Sequence, residues 1–353
     1  EAPPAADPIK MGGDYSKPVD KAPAYYDKYL EGMPSLANKV VAVTGCTTGT
    51  GYIAALTCAK KGATVVMLNR KSDRAEAALN KIKEAVPDAV VEHIDCDLMD
   101  FASVANAAKE LTAKYSAGID VLCNNAGVMA SADQPTGDGY DIQMQTNHLS
   151  HFLLTKELFP LLEKAAEKNG EARIVNHSSG ARKLAALISF SGTTGLEAKY
   201  FGKNSGNLGG DANSLIFGGG RWERYHQTKL ANVVFTLAMR DKLEAKGSKV
   251  KALCAAPGLA ATNLQVTSTR DGGMEGWFTN LLMGSAAAAE DGTLPLLECM
   301  FKTDAISGQF YEPTGMTGPP HLVDLTPEKI CVDETSRTVL WEESGKAVGE
   351  WNL

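Results

Sequence analysis

The sequence predicts an α/β fold: a single doubly wound parallel sheet with helices on both faces. Three observations predict it. Short apolar runs alternate with longer segments of helical period, at the spacing of strand–helix–strand units. The runs are apolar throughout, built of Val, Ile, Leu and Ala, as strands covered on both faces are. Residues suited to turns and ligands cluster just after the runs, at the end where such sheets bind ligands. Composition agrees, since 353 residues that are 44% hydrophobic and 22% charged can bury a sizeable core.

In chain order, residues 1–36 stand apart as an extended N-terminal arm holding Pro3, Pro4, Pro8, Pro18, Pro23 and Pro34. Such a segment reads either as a flexible arm or as a docking segment anchored by Tyr25, Tyr26 and Tyr29. Residues 37–353 read as one α/β domain. Strands are expected at 39–43, 63–68, 90–95, 119–123, 172–177 and 249–255. Helices are expected at 52–61, 73–86, 101–115, 140–168 and 222–246, and a Leu-rich core helix at 291–301.

The first strand runs into Thr44-Gly45-Cys46-Thr47-Thr48-Gly49-Thr50-Gly51 and then a helix. Glycines there permit a tight turn and let backbone N–H groups approach a pyrophosphate at the helix N-terminus, although such turns also occur for packing alone. The second strand ends at Asn69-Arg70, without the acid that usually holds a free ribose 2′-hydroxyl. Arg70, with Lys71 and Arg74 behind it, favours a 2′-phosphate, hence NADP(H) over NAD; the alternative is an ordinary solvated charge. Asp97-Leu98 after the third strand is placed to meet an adenine amino group. Asn124-Asn125-Ala126-Gly127 after the fourth is a small-residue turn along which a cofactor can lie close.

With Ser178-Ser179 after the fifth strand and Tyr225-His226-Gln227-Thr228-Lys229 in the following helix, the set resembles the short-chain dehydrogenase/reductase family from about residue 39 onward. The resemblance implies a Rossmann-type domain and a catalytic set of Asn147, Ser179, Tyr225 and Lys229. Tyr225 would donate the proton that hydride transfer to a carbonyl demands. Lys229, four residues on and sharing a helix face, is expected to depress the tyrosine pKa together with the positive nicotinamide. Ser179 rather than Ser178 would orient the substrate oxygen, and Asn147 would hold a water linking Lys229 to solvent. Pro257-Gly258 and Thr262 match the turn that closes over the nicotinamide. Gly45, Thr47, Thr48, Gly49, Thr50, Gly51, Arg70, Asp97, Leu98, Asn125, Ala126, Gly127, Tyr225, Lys229, Pro257, Gly258 and Thr262 are the expected NADP(H) contacts.

The longest departure from the family is the insert at 181–224, which contains nine glycines. It reads as a surface excursion or as a wall of the substrate site. Residues 146–154 and 225–232 look like the retinol-dehydrogenase branch, whereas the glycine-rich insert is reminiscent of light-dependent protochlorophyllide reductases. Both branches act on large apolar molecules, and Trp277, Phe278, Leu281, Leu282 and Met283 within 273–283 could cover such a substrate, touch a membrane or pack on the body. The expected activity is therefore NADPH-dependent reduction of a lipophilic carbonyl, or oxidation of the alcohol. The alternatives are light-dependent reduction of a tetrapyrrole double bond and an accessory subunit docked into a larger complex through 1–36.

A net charge of −7 gives no support for nucleic-acid binding, and no stretch approaches the roughly 18 apolar residues of a membrane span. Seven scattered cysteines suggest neither a disulfide framework nor a zinc site, and the histidines show no metal-ligand spacing, so no metal is expected. The start at Glu1 and the arm fit an organellar protein, plastid or mitochondrial, freed of a targeting peptide; a cytoplasmic one stays open.

Overall fold

The computed structural model describes residues 21–184, 194–212 and 217–353. The first twenty residues of the predicted arm, and positions 185–193 and 213–216 of the insert, lie outside the described residues. Eight strands form one sheet: β1 Val40–Thr44, β2 Thr64–Asn69, β3 Val91–Asp95, β4 Val121–Asn124, β5 Ala172–His177, β6 Val250–Ala255, β7 Phe310–Pro313 and β8 Pro320–Val323. Their order is β3-β2-β1-β4-β5-β6-β7-β8, with every neighbouring pair parallel except β7 and β8. The antiparallel β7–β8 edge was not anticipated, because two four-residue strands carry little periodicity.

Side chains alternate across the strands, so one sequence run feeds two cores. Ala42, Val66, Leu68, Leu122, Ile174 and Ala252 face one side. There they meet helices α4 (Phe101–Lys114), α5 (Ser150–Asn169) and α6 (Gly220–Lys246). Val41, Val43, Val65, Met67, Cys123 and Leu253 face the other side. That side holds α2 (Gly49–Lys60), α3 (Asp73–Ala85) and the expected core helix, α9 (Ala289–Phe301), which follows the shorter helices α7 (Asn263–Arg270) and α8 (Gly276–Ser285) in the chain. Strand order reverses between β1 and β4, and their carboxyl ends open the crevice at which doubly wound sheets bind ligands.

The described part of the arm is not extended. Residues 26–32 form a short helix, α1, whose Tyr26 is buried and bonds Thr57 Oγ1 at 2.6 Å through its hydroxyl. Met33 and Leu36 are buried in the same core. Asp291 accepts hydrogen bonds from the backbone N–H groups of Ala24, Tyr25 and Tyr26 at 2.7, 2.9 and 3.0 Å. The apolar anchors expected to dock on a partner are thus largely consumed within the chain; of the three tyrosines only Tyr25 is substantially exposed.

A C-terminal helix, α10 (Glu334–Val348), was not expected. Its Trp341 stacks on Trp351 at 5.2 Å, and both rings meet Phe152 of α5 edge-on.

The insert is anchored where it is described. Phe201 is fully buried and lies edge-on to His148 at 5.6 Å. Buried aromatics between the glycines, Tyr200 and Phe201, hold this stretch.

Candidate active site

The turn after β1 is shaped by close approach. Gly45 has φ +72° and a Cβ there would fall 2.8 Å from Ala126 Cβ; a Cβ on Gly51 would lie 2.3 Å from both Asn125 Nδ2 and Gly45 O. Asn125 ties the turn from behind. Its Nδ2 donates to Thr44 O at 2.8 Å, and its Oδ1 accepts from Thr50 Oγ1 and lies 2.9 Å from His177 Nδ1. Thr44 Oγ1 accepts from the N–H groups of Asn125 and Ala126 and meets His151 Nε2 at 2.9 Å. Asn69, at the end of β2, accepts from Cys46 N through Oδ1 at 2.6 Å, a contact the sequence reading missed. Helix α2 starts at Gly49, carries no acid in its first turn and has no side-chain cap. Its first N–H groups, and those of the half-exposed Thr47, Thr48 and Thr50, are left for an anion.

The neighbouring corner is cationic. Arg70, Lys71 and Arg74 are exposed, and among the described residues none forms an ion pair. Asp97 is half-buried, with Oδ1 accepting from Met99 N at 2.9 Å, and Leu98 O accepts from Ser150 Oγ.

Asn147 sits in a π-helical turn, Gln145–Leu149, that interrupts the helical stretch leading into α5. Such a turn redirects side chains within a helix and recurs at functional sites. Oδ1 of Asn147 accepts from Val128 N at 2.8 Å, and Nδ2 donates to Val128 O and Thr228 Oγ1, each at 2.9 Å. The carboxamide therefore clasps the segment after Gly127 to helix α6. A Cβ on Gly127 would come within 3.1 Å of Asn147 Oδ1 and 3.4 Å of Lys229 Nζ, so this glycine is what lets the three meet.

Tyr225 and Lys229 lie one turn apart on α6, both buried. Lys229 Nζ donates to His177 O at 3.0 Å, and burial pulls its pKa down to about 8. The Tyr225 phenol is pushed above its ordinary value by burial, partly offset by a hydrogen bond with the Ser179 hydroxyl. Here the sequence expectation is corrected for the protein alone. The ammonium lies 5.8 Å from the phenol ring centroid and is bonded elsewhere, so desolvation outweighs it. Ser178 Oγ is committed to Lys229 O at 2.7 Å, which leaves Ser179 as the serine facing the tyrosine.

An apolar wall stands beside Tyr225. Trp222 lies edge-on to it at 5.8 Å, Phe217 of the insert lies 4.8 Å from Trp222, and Phe278 lies 5.5 Å from Phe217. Met129, Ala130, Ala181, Met274 and Leu282 complete this apolar cluster. Within the segment expected to hold substrate, Phe278 and Leu282 join the wall, Met283 is buried and Leu281 is 63% exposed. The Trp277 side chain lies outside the described residues.

The first turn of α6 holds these segments together. Arg221 donates to Ala130 O, Asp211 O and Asp271 O, and Trp222 Nε1 donates to Gly273 O. The fully buried Arg224 donates to Ser131 O, Leu208 O and Gly210 O, with Asp133 at 3.4 Å and Asp141 at 3.2 Å. Sequence reading missed all of these, though three bulky or cationic residues just before the tyrosine were a visible signal.

Beyond β6, Gly258 has φ +65°, and a Cβ there would strike Met316 O at 2.3 Å. The turn that follows Pro257 and Gly258 brings Thr262 opposite Gly49, where a Cβ on the glycine would lie 3.4 Å from the threonine methyl. Among the described residues there is no cluster of His, Cys, Asp or Glu suited to a metal, and no helix long and apolar enough to cross a membrane.

The family model described as short chain dehydrogenase matches residues 39–191. An uncharacterized oxidoreductase of Schizosaccharomyces pombe is 35% identical over 66% of this chain and 63% of its own length. The chain spans about 56 to 64% of the length of three fungal relatives, that protein among them. Mouse retinol dehydrogenase 13 is 31% identical over 89% of this chain and 85% of its own. A crystal structure of an uncharacterized protein from Mycobacterium paratuberculosis superposes with a TM-score of 0.68 at 29% identity, covering 92% of this chain and 98% of that one.

Proposed function

The chain belongs to the short-chain dehydrogenase/reductase family of oxidoreductases, and from that premise we propose that it interconverts a lipophilic carbonyl and its alcohol with NADP(H). The carbonyl is of retinoid, carotenoid-like or steroid kind. The single observation that carries this reading is the apolar wall of Trp222, Phe217, Phe278, Met274 and Leu282 beside Tyr225. A small polar substrate would leave that surface unmatched. Retinol dehydrogenase 13, by its name, acts on an apolar alcohol, which supports the same class.

The residues present fit a dinucleotide. The glycine cradle has no room for side chains at Gly45 and Gly51, and the start of α2 offers uncapped N–H groups to the pyrophosphate. Arg70, with Lys71 and Arg74, would hold the 2′-phosphate, and Asp97 the adenine side. Gly127, Pro257, Gly258 and Thr262 would border the nicotinamide. When bound, the nicotinamide supplies or accepts the hydride.

The remaining work belongs to the chain. Tyr225, a phenol protonated at neutral pH and held more firmly in that form by its burial, can donate a proton to the oxygen of a carbonyl being reduced. Ser179 shares hydrogen bonding with that phenol and would orient the same oxygen. Lys229, in its cationic form, places positive charge behind the tyrosine and favours the phenolate left after donation. Asn147 acts as a positioning residue by clasping Val128 to α6.

The test is titration of purified protein with NADPH and NADH, followed by turnover of all-trans-retinal in dark and light. Tight NADPH binding and dark turnover abolished in Tyr225→Phe are the expected results. Turnover only in light would transfer the reading to a tetrapyrrole-type reductase, and absence of binding to either nucleotide would overturn it.

A further inference from the structure

We infer that Arg182 is a positioning residue for Ser179, bolting the turn that carries the substrate-orienting hydroxyl; the inference rests on the proposed role of Ser179. The residue lies in the first short turn after β5, Gly180–Lys183, which Ser179 caps by accepting from Ala181 N at 3.2 Å. That bond occupies one lone pair of Oγ and sets the rotamer in which the hydroxyl meets Tyr225. The rotamer is only as fixed as the turn itself.

Two bolts hold the turn, one on each side. Upstream, Ser178 Oγ donates to Lys229 O. Downstream, the Arg182 guanidinium donates to Ser179 O at 3.3 Å while its own backbone N–H donates to the same carbonyl at 3.1 Å. Nothing of the Arg182 side chain is exposed. It makes a bidentate pair with Glu328, both bonds 2.9 Å, a second contact with Glu312 at 2.9 Å, and lies over the Phe310 ring at 4.2 Å. Lys183 also reaches Glu328 at 2.9 Å. Two cations thus face two carboxylates, the balance that a buried ionic group requires.

The placement of those partners gives the arrangement its purpose. Phe310, Glu312 and Pro313 belong to β7, and Pro313, together with Met316 just beyond the strand, backs the Gly258 turn. Arg182 therefore references Ser179 to the same strand that supports the nicotinamide side of the crevice. A lysine would retain the charge but could not form the fork to Glu328 while reaching Ser179 O.

The test compares Arg182→Lys, Arg182→Met and Ser179→Ala with the parent enzyme. Three readouts are used: NADPH affinity by fluorescence titration, kcat on all-trans-retinal, and the NMR signal of Tyr225 carbon-13-labelled at Cζ, assigned with Tyr225→Phe. Arg182→Lys should fold, bind NADPH within about twofold of the parent, lower kcat about tenfold and shift the Tyr225 signal in the direction that Ser179→Ala does. An unmoved Tyr225 signal in folded Arg182→Lys, alongside a shift in Ser179→Ala, overturns the inference whatever the activity. If Ser179→Ala itself leaves both kcat and the Tyr225 signal untouched, the role of Ser179 falls instead. Should Arg182→Met fail to fold, Arg182→Lys still decides.

Discussion

The two sides of the crevice are built by different means. On the nucleotide side, short-range glycine spacing and backbone groups make the surface: Gly45, Gly49 and Gly51 shape one turn, and Asn125 braces it from the next strand. On the substrate side, residues from 129–133, 208–212, 217–222 and 271–282 meet around Tyr225, held by side chains of Arg221, Trp222 and Arg224. A surface made of backbone tolerates few substitutions and repeats its spacing in many sequences. One made of distant side chains can be rewritten segment by segment, which is where a substrate preference can change without disturbing the cofactor.

The sharpest test of the boundary is Tyr225→Phe, which removes the proton donor and leaves both surfaces intact. Carbonyl reduction should fall about a hundredfold or more, while NADPH affinity stays within about twofold. Loss of NADPH binding in this variant would mean that the two sides are not separable. Gly51→Ala strikes the nucleotide side alone. Its Cβ would press on Asn125 Nδ2 and Gly45 O, so the turn must open, at a cost of about 2 kcal/mol. NADPH affinity should weaken about thirtyfold, and calorimetry should show a lower Tm.

Legibility followed the same divide. The strand starts, the glycine turn and the Tyr225–Lys229 spacing were readable because each depends on neighbours within a few residues. The β7–β8 edge was not, because two four-residue strands carry little periodicity, and helix α10 and the Arg221–Arg224 hub were not, because their meaning lies in contacts with segments up to roughly two hundred residues away, as His148 shows in bonding Ser344. The seating of Ala24, Tyr25 and Tyr26 was hidden for a related reason: their partner, Asp291, lies far along the chain. The tyrosine pKa of the protein alone turns on energetics rather than pattern. Spacing placed a cation near the phenol but could not weigh it against complete burial.

Arg70→Ala separates the 2′-phosphate corner from the rest of the nucleotide side. One charge-assisted contact is worth about 1.5 kcal/mol, so NADPH affinity should fall about tenfold and NADH affinity hardly at all. Equal losses for both would make Arg70 an ordinary surface charge. Trp222→Phe keeps the ring beside Tyr225 and deletes the donor to Gly273 O. Losing a hydrogen bond of about 1 kcal/mol should raise KM for all-trans-retinal about fivefold. A comparable change in NADPH affinity would show that the substrate wall reaches across the crevice.

The mildest prediction concerns Lys229, which belongs to both sides. Its pKa is drawn down to about 8 by burial, so the cation needed behind Tyr225 is half lost at that pH. Activity should drop about twofold by pH 8 relative to pH 7 and fall further above it. Stability should move the opposite way. In the unfolded chain the lysine titrates near its ordinary value of about 10.4. Between pH 8 and that value the unfolded state holds the extra proton, so this residue's contribution to stability rises with pH there. Measured against Lys229→Met, the parent's Tm should therefore gain ground from pH 7 to pH 10 while its activity declines. A parent that loses both together over that range would place the titrating group elsewhere, and the coupling between the two sides of the crevice would not run through Lys229.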